Sequence, residues 1–442
     1  MSTYPSDSSE TRPIPGTPDE KRDTESFAFQ YDSSRSRLAS PDQDFGVPDG
    51  GLIAWMTVAG AWLVLFSTFG YLYSFGVYET FYSLEYLTNH TPSSIAWIGS
   101  FQLMMPFALG IVSGKLFDNG YFHLLQITGG IIFVVSLFML SLAKPFQYYQ
   151  IFLSQGLGMG IGLGLTFVPA CGISSHHFAK RRALATGIAH SGTSAGATIF
   201  PIMINHLIPK VGFAAAVRAS GYVVLGCLVI GNAMMRTRPR PPRVIPDIKS
   251  FFADGAYLFA VAGTLLSTAG VYIPVIYMQL FSVQHSVGSS LAFYSIAIMN
   301  GTSAIGRVAG NYLADIYGPF YLQVGTTLIT AGTIFAVLGV HNSTTLILVS
   351  VLYGIFSGAW LALSIASLAS LARTPDEVGA RTGIALALGS FGSLGSAPIQ
   401  GALLTSNFLW MRPIAFSGAI VAASAVCFLG TSVLAGRRSS TR

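Results

Sequence analysis

The sequence predicts an all-α polytopic membrane protein, with 12 transmembrane helices arranged as two six-helix halves. Three observations carry that expectation. The chain of 442 residues is 52% hydrophobic and only 10% charged, whereas a soluble domain is roughly a quarter charged. Apolar runs of about 20 residues, each long enough to cross a bilayer, recur along nearly the whole length. The charges gather between those runs rather than within them. A soluble enzyme, a nucleic-acid-binding protein and a secreted disulfide scaffold are excluded. The net charge of +6 is no nucleic-acid signature, because the basic residues sit in short connections, where they set membrane orientation. Cys171, Cys227 and Cys427 all lie in apolar stretches and read as small packing residues, with no metal site or cofactor expected.

Residues 1–47 are rich in Ser, Pro and charge, with no apolar period, and are expected to be a disordered tail. The tail has no apolar core of a cleaved signal, so the first span is expected to act as the targeting signal. Twelve spans follow, at 51–76, 93–114, 124–143, 149–174, 183–206 and 213–235, then 255–280, 289–313, 320–340, 345–371, 382–405 and 412–435. Lys115, Lys180-Arg181-Arg182, the arginines at 236, 238, 240 and 243, Lys249, Arg373 and Arg381 fall in even-numbered connections, and Arg437, Arg438 and Arg442 at the end. Odd-numbered connections hold only Lys144 and Lys210, with Arg412 at an edge. Positive charge stays in the cytosol, so both termini are expected there. The glycosylation sequons at Asn89 and Asn342 fall in connections that this topology places outside. A third, at Asn300, lies inside a span.

The longest internal connection, 236–250, is rich in Arg and Pro and divides the body into halves at 48–235 and 251–435, with a short cytosolic end at 436–442. The halves echo each other. Leu116-Phe117-Asp118 follows span two and Leu313-Ala314-Asp315 follows span eight, the aspartates standing 197 residues apart. Parallel repeats joined by a cytosolic linker point to the major facilitator architecture.

Four stretches sharpen this. Gly114-Lys115-Leu116-Phe117-Asp118-Asn119-Gly120 forms the loop after span two; its glycine permits close helix approach, and its aspartate suits a latch on a helix terminus or an arginine. Pro48-Asp49-Gly50-Gly51, with Trp55 beyond, opens span one, and Asp49 suits that helix's N-terminus. Span five begins Lys180-Arg181-Arg182-Ala183-Leu184-Ala185-Thr186-Gly187 and continues through Gly192 and Gly196 to Pro201. Span eight holds Gly306-Arg307, eight residues before Asp315. Over 48–435 the chain resembles the monocarboxylate transporter family of the major facilitator superfamily, in particular its fungal branch. The alternating glycines Gly156 to Gly164 mimic a nucleotide loop, but they lie within span four and read as helix packing.

Ionisable groups at membrane depth are costly and therefore informative. Arg307 is the strongest. Its planar donor fork fits a carboxylate, although snorkelling to the nearer interface is the plain alternative. The resemblance implies a functional arginine in this helix. Mammalian members also have an aspartate one turn earlier and a lysine in span one, where this chain has Ser303 and Tyr73. Asp254 is expected at the start of span seven and Glu79 beyond the outer end of span one, which leaves span interiors without a carboxylate. His190 is then the proton-coupling candidate, against a neutral hydrogen-bonding histidine. Tyr71, Tyr73, Gln102, Gln155, Asn300 and Trp360, with Tyr272, Tyr277 and Ser364, suit the wall of a substrate cavity more aromatic than ionic. Each also suits packing or an interfacial belt.

The resemblance implies a gradient-driven transporter, not an enzyme, with alternating access between its halves. The leading expectation is export or exchange of an organic anion or secondary metabolite across the plasma membrane. Uptake of a monocarboxylate or riboflavin-like nutrient is the alternative, and a non-transporting sensor a distant third. The expected partners are a small organic substrate and the bilayer, with no nucleic acid and no obligate protein partner.

Overall fold

The computed structural model describes residues 49–238, 248–285, 288–374, 377–405 and 408–440. The expected tail at 1–47 and most of the linker lie outside them. Among the described residues there is helix and no strand. In order, the spans are Leu52–Tyr86, Ser94–Asp118, Phe122–Leu140, Tyr148–His176, Arg182–Val211 and Phe213–Met234, then Gly255–Gln284, Ser289–Tyr317, Pro319–Gly339, Ser343–Ser370, Val378–Leu404 and Met411–Arg437. They are called spans one to twelve below. Ten are long and apolar enough to cross a membrane on composition alone. Spans five and eight are long helices of 30 and 29 residues that fall short. The reason is physical: they carry polar residues along the face by which they pack against each other.

Span one is longer than its apolar run suggests. It turns at Tyr73-Ser74 and continues through Phe75–Phe81 and the π-helical Tyr82–Tyr86. Glu79 is therefore inside span one, not beyond its outer end. Span seven is broken in the corresponding place, between Gly255–Gly270 and Ile273–Gln284. Tyr73 and Tyr272 mark the two breaks, 199 residues apart, close to the 197-residue offset of the paired aspartates. A broken helix frees backbone groups that need partners in a membrane. Here the Tyr353 hydroxyl donates to the freed Val271 carbonyl.

The glycine run in span four packs helices. At Gly160 and Gly164 a Cβ would meet Met105 and Leu109 of span two, and at Gly158 and Gly162 it would meet Ser136 and Phe133 of span three. An alternation by two becomes two stripes with a period of four on a helix, one stripe for each neighbour. Spans eight and ten touch more closely still, since a Cβ at Gly306 would stand 1.8 Å from the Ile355 carbonyl oxygen.

Two assignments of charge change. Asp49 does not cap span one, whose N-cap Gly51 has no side-chain bond. Its carboxylate instead accepts from the Ala179 and Lys180 amides at 2.7 and 2.8 Å, just before span five. Arg381 is no loop charge, because span eleven already starts at Val378. Its side chain is fully buried, with Nη1 2.9 Å from Asp254 Oδ2 and Nε 2.8 Å from Glu377 Oε2. The guanidinium also lies 4.6 Å from the centre of the Phe251 ring, a cation–π contact.

Candidate functional site

Alternating access requires a seam between the halves. On the side of the basic connections that seam is shut. Span eight meets span five along one polar stripe: Asn300 Nδ2 donates to the Ala197 carbonyl at 3.3 Å, and the Ser303 and Ser194 hydroxyls are 2.6 Å apart. Farther along, Arg307 Nη1 donates to the His190 carbonyl at 3.1 Å, and a Cβ on Gly187 would stand 2.7 Å from the Arg307 carbonyl oxygen. At the end, Asp315 accepts from the Ala183 and Leu184 amides at 3.1 and 2.8 Å. The carboxylate thus occupies the positive N-terminus of span five.

The second half of the seam repeats the design. Asp118 lies against Gly379 at the N-terminus of span eleven, and Gly110 packs on Gly383 one turn deeper. Gly114 sits between, facing the Gly379 carbonyl. The Gly114–Asp118 stretch is helical, not a loop: it is the last turn of span two. The aspartates are thereby held rigidly at the place where the opposite half begins a helix.

Above this closed end, between spans one, seven, eight and ten, lies a small cavity of about 30 Å³. Tyr73 and Tyr272 enter it from the two helix breaks, Asn300, Ser303 and Arg307 from span eight, and Tyr353 and Trp360 from span ten. Discontinuous helices at a mid-membrane cavity are the usual setting of a transport site. Arg307 is 3% exposed, which removes snorkelling to an interface as its explanation. The Tyr73 side chain lines the same cavity. Among the described residues no carboxylate is ion-paired with Arg307. A buried cation beside a cavity and without a counter-charge is an electrostatic invitation to an anion.

Of the residues anticipated for the site, Tyr73, Asn300, Arg307 and Trp360 converge on the cavity. Tyr71 does not: its hydroxyl is 2.6 Å from that of Tyr78 and 2.9 Å from Ser220, inside the N-terminal half. Gln155 accepts from Tyr82 at 2.7 Å and joins the π-helical ends of spans four and one. Gln102 is buried on span two, outside the cavity wall. His190 lies in the shut seam, with Nε2 2.8 Å from Cys171 Sγ. Arg307 meets the His190 backbone carbonyl rather than its ring, and that ring lies off the cavity wall. Tyr353 was missed, because one tyrosine in an apolar run has no sequence signal; only the break it repairs reveals it.

Comparison with known proteins gives the family. Residues 64–339 match the description Major Facilitator Superfamily. The chain belongs to that superfamily. It is 36% identical over 388 residues to the aspyridones efflux protein of Emericella nidulans, covering 88% of this chain and 79% of that one. To the fujikurins efflux protein of Gibberella fujikuroi it is 36% identical over 407 residues, 90% and 85% of the two chains. An MFS transporter of Aspergillus flavus is 35% identical over 370 residues, 82% of this chain and 83% of the relative. The chain is a multi-pass membrane transporter that handles small organic molecules.

Proposed function

We propose that this facilitator exports an organic anion, of the secondary-metabolite kind, from the cytosol across the plasma membrane, and that it belongs to the monocarboxylate transporter branch. Arg307 carries the reading. It is a fully desolvated guanidinium on the cavity wall, without a carboxylate partner among the described residues, and its planar fork suits a delocalised anion. The efflux named in two of its relatives supports export over uptake. With the basic connections and both termini in the cytosol, the seam described above is shut toward the cytosol. Loading then requires the latches at Asp118 and Asp315 to open, with the halves at 48–235 and 251–435 rocking about the central cavity. Asn89 and Asn342 then face outward as glycosylation acceptors; Asn342 also caps span ten, accepting from the Thr345 amide at 2.9 Å.

Metabolite profiling of medium and cells, with and without the gene, tests the direction. Export predicts that at least one acidic metabolite leaves the medium and accumulates in cells when the gene is deleted. Loss of a nutrient from deleted cells, with an unchanged medium, would replace export by uptake.

A further inference from the structure

The cavity wall can be read for what it still needs. Asn300 gives a side-chain hydrogen to the Ala197 carbonyl, and Tyr353 gives its own to Val271. Three donors remain. Arg307 Nε, Trp360 Nε1 and the Tyr272 hydroxyl are each buried without a protein partner, and all three residues line the cavity. The first two have no acceptor character, so only an acceptor atom satisfies them. They stand on three different spans, eight, ten and seven, so a ligand that satisfies them presents acceptor atoms toward three helices. Between them are the rings of Tyr73, Tyr272, Tyr353 and Trp360, surfaces that suit a flat conjugated ligand.

We propose that the cavity selects a flat conjugated organic anion bearing acceptor oxygens at separate positions, one set on Arg307 and another on Trp360 Nε1 and the Tyr272 hydroxyl. This rests on the anion reading above and adds the substrate's shape and acceptor pattern. Trp360 and Tyr272 are then specificity determinants. A small monocarboxylate reaches Arg307 but leaves the other two donors unpaired, and a site built around hydrogen-bonding donors discriminates strongly against ligands that leave them so. No carboxylate lines the cavity, so an organic cation finds no counter-charge.

The full-length purified protein is titrated by calorimetry with three probes. 4-Hydroxycoumarin is flat, ionised at neutral pH, and carries oxygens on separate edges. 4-Methoxycoumarin keeps the frame without the charge, and benzoate keeps charge and ring but gathers its oxygens at one end. The expected result is that 4-hydroxycoumarin binds best and that Trp360→Phe and Tyr272→Phe each weaken it by about tenfold or more. The same variants leave the weaker benzoate binding unchanged. Phenylalanine keeps a ring at each position, and gel filtration confirms that each variant is folded. Wild-type affinity for 4-hydroxycoumarin in both phenylalanine variants, together with loss in Arg307→Met, would overturn the donor proposal and leave the anion reading standing. Equal binding of 4-methoxycoumarin, with Arg307→Met unaffected, would overturn both. Absence of saturable 4-hydroxycoumarin binding would also overturn the donor proposal.

Discussion

Replacing Asp254 by asparagine isolates one buried charge. The carboxylate has three roles at the start of span seven: it caps the helix, accepting from the Tyr257 amide at 3.2 Å, it pairs with Arg381 at 2.9 Å, and it lies 3.7 Å from the half-exposed Arg373 guanidinium. Asparagine caps as well as aspartate does, so Asp254→Asn removes the charge and keeps the cap. Both side chains are 0% exposed, and breaking such a pair from one side destabilises by about 3–5 kcal/mol, because the other charge stays buried. Arg381 retains Glu377 at 2.8 Å and the Phe251 ring, which places the expected loss at the lower end, about 3 kcal/mol. Removing both charges, in Asp254→Asn with Arg381→Met, should recover most of that loss, since a buried pair replaced by apolar packing is often neutral. Equilibrium unfolding in mixed micelles of the two single variants and the double variant measures the coupling. A loss below about 0.5 kcal/mol for Asp254→Asn, or a double variant as unstable as the two singles summed, would refute the reasoning.

Three further outcomes are expected. Asp315→Ala removes a carboxylate from the N-terminus of span five, a contact worth about 1–2 kcal/mol, so the shut seam should lose about tenfold in population. Spin-label distances between the ends of spans five and eight should broaden, and an unchanged distribution would show that the latch holds nothing. Gly306→Ala should prevent stable folding, because its Cβ would overlap the Ile355 carbonyl, whereas Gly332→Ala meets open space and should be tolerated; equal thermal stability of the two would contradict the close packing of spans eight and ten. His190→Gln should leave the pH profile of transport unchanged, since its ring lies in the shut seam against Cys171 and not on the cavity wall. A flattened profile would restore His190 as the proton carrier.

The span count, the repeat offset and the membrane depth of Arg307 were legible in the sequence, because bilayer length and the rarity of charge at membrane depth are one-dimensional signals. The breaks at Tyr73 and Tyr272 were not. No proline or charge marks the turn at Tyr73, and the apolar run of span one fades before its helix ends at Tyr86; in span seven Pro274, two residues after Tyr272, is the signal that went unused. Arg381 was misplaced for a related reason. Span eleven begins in a polar segment, and a charge there reads as a loop residue until Asp254, 127 residues earlier, is seen to meet it. Tyr71 and Gln155 lie away from the cavity and bond to neighbouring helices, since a polar tip in a span is satisfied equally well by a helix as by a ligand. Sequence periodicity gives depth and leaves the facing direction open.

The central claim is that Arg307 anchors an anion in the cavity between the halves. Efflux of the metabolite retained by deleted cells is measured in cells expressing Arg307→Met, with surface expression matched to wild type. The account predicts loss of efflux with the protein correctly delivered to the membrane; wild-type efflux from that variant would contradict it.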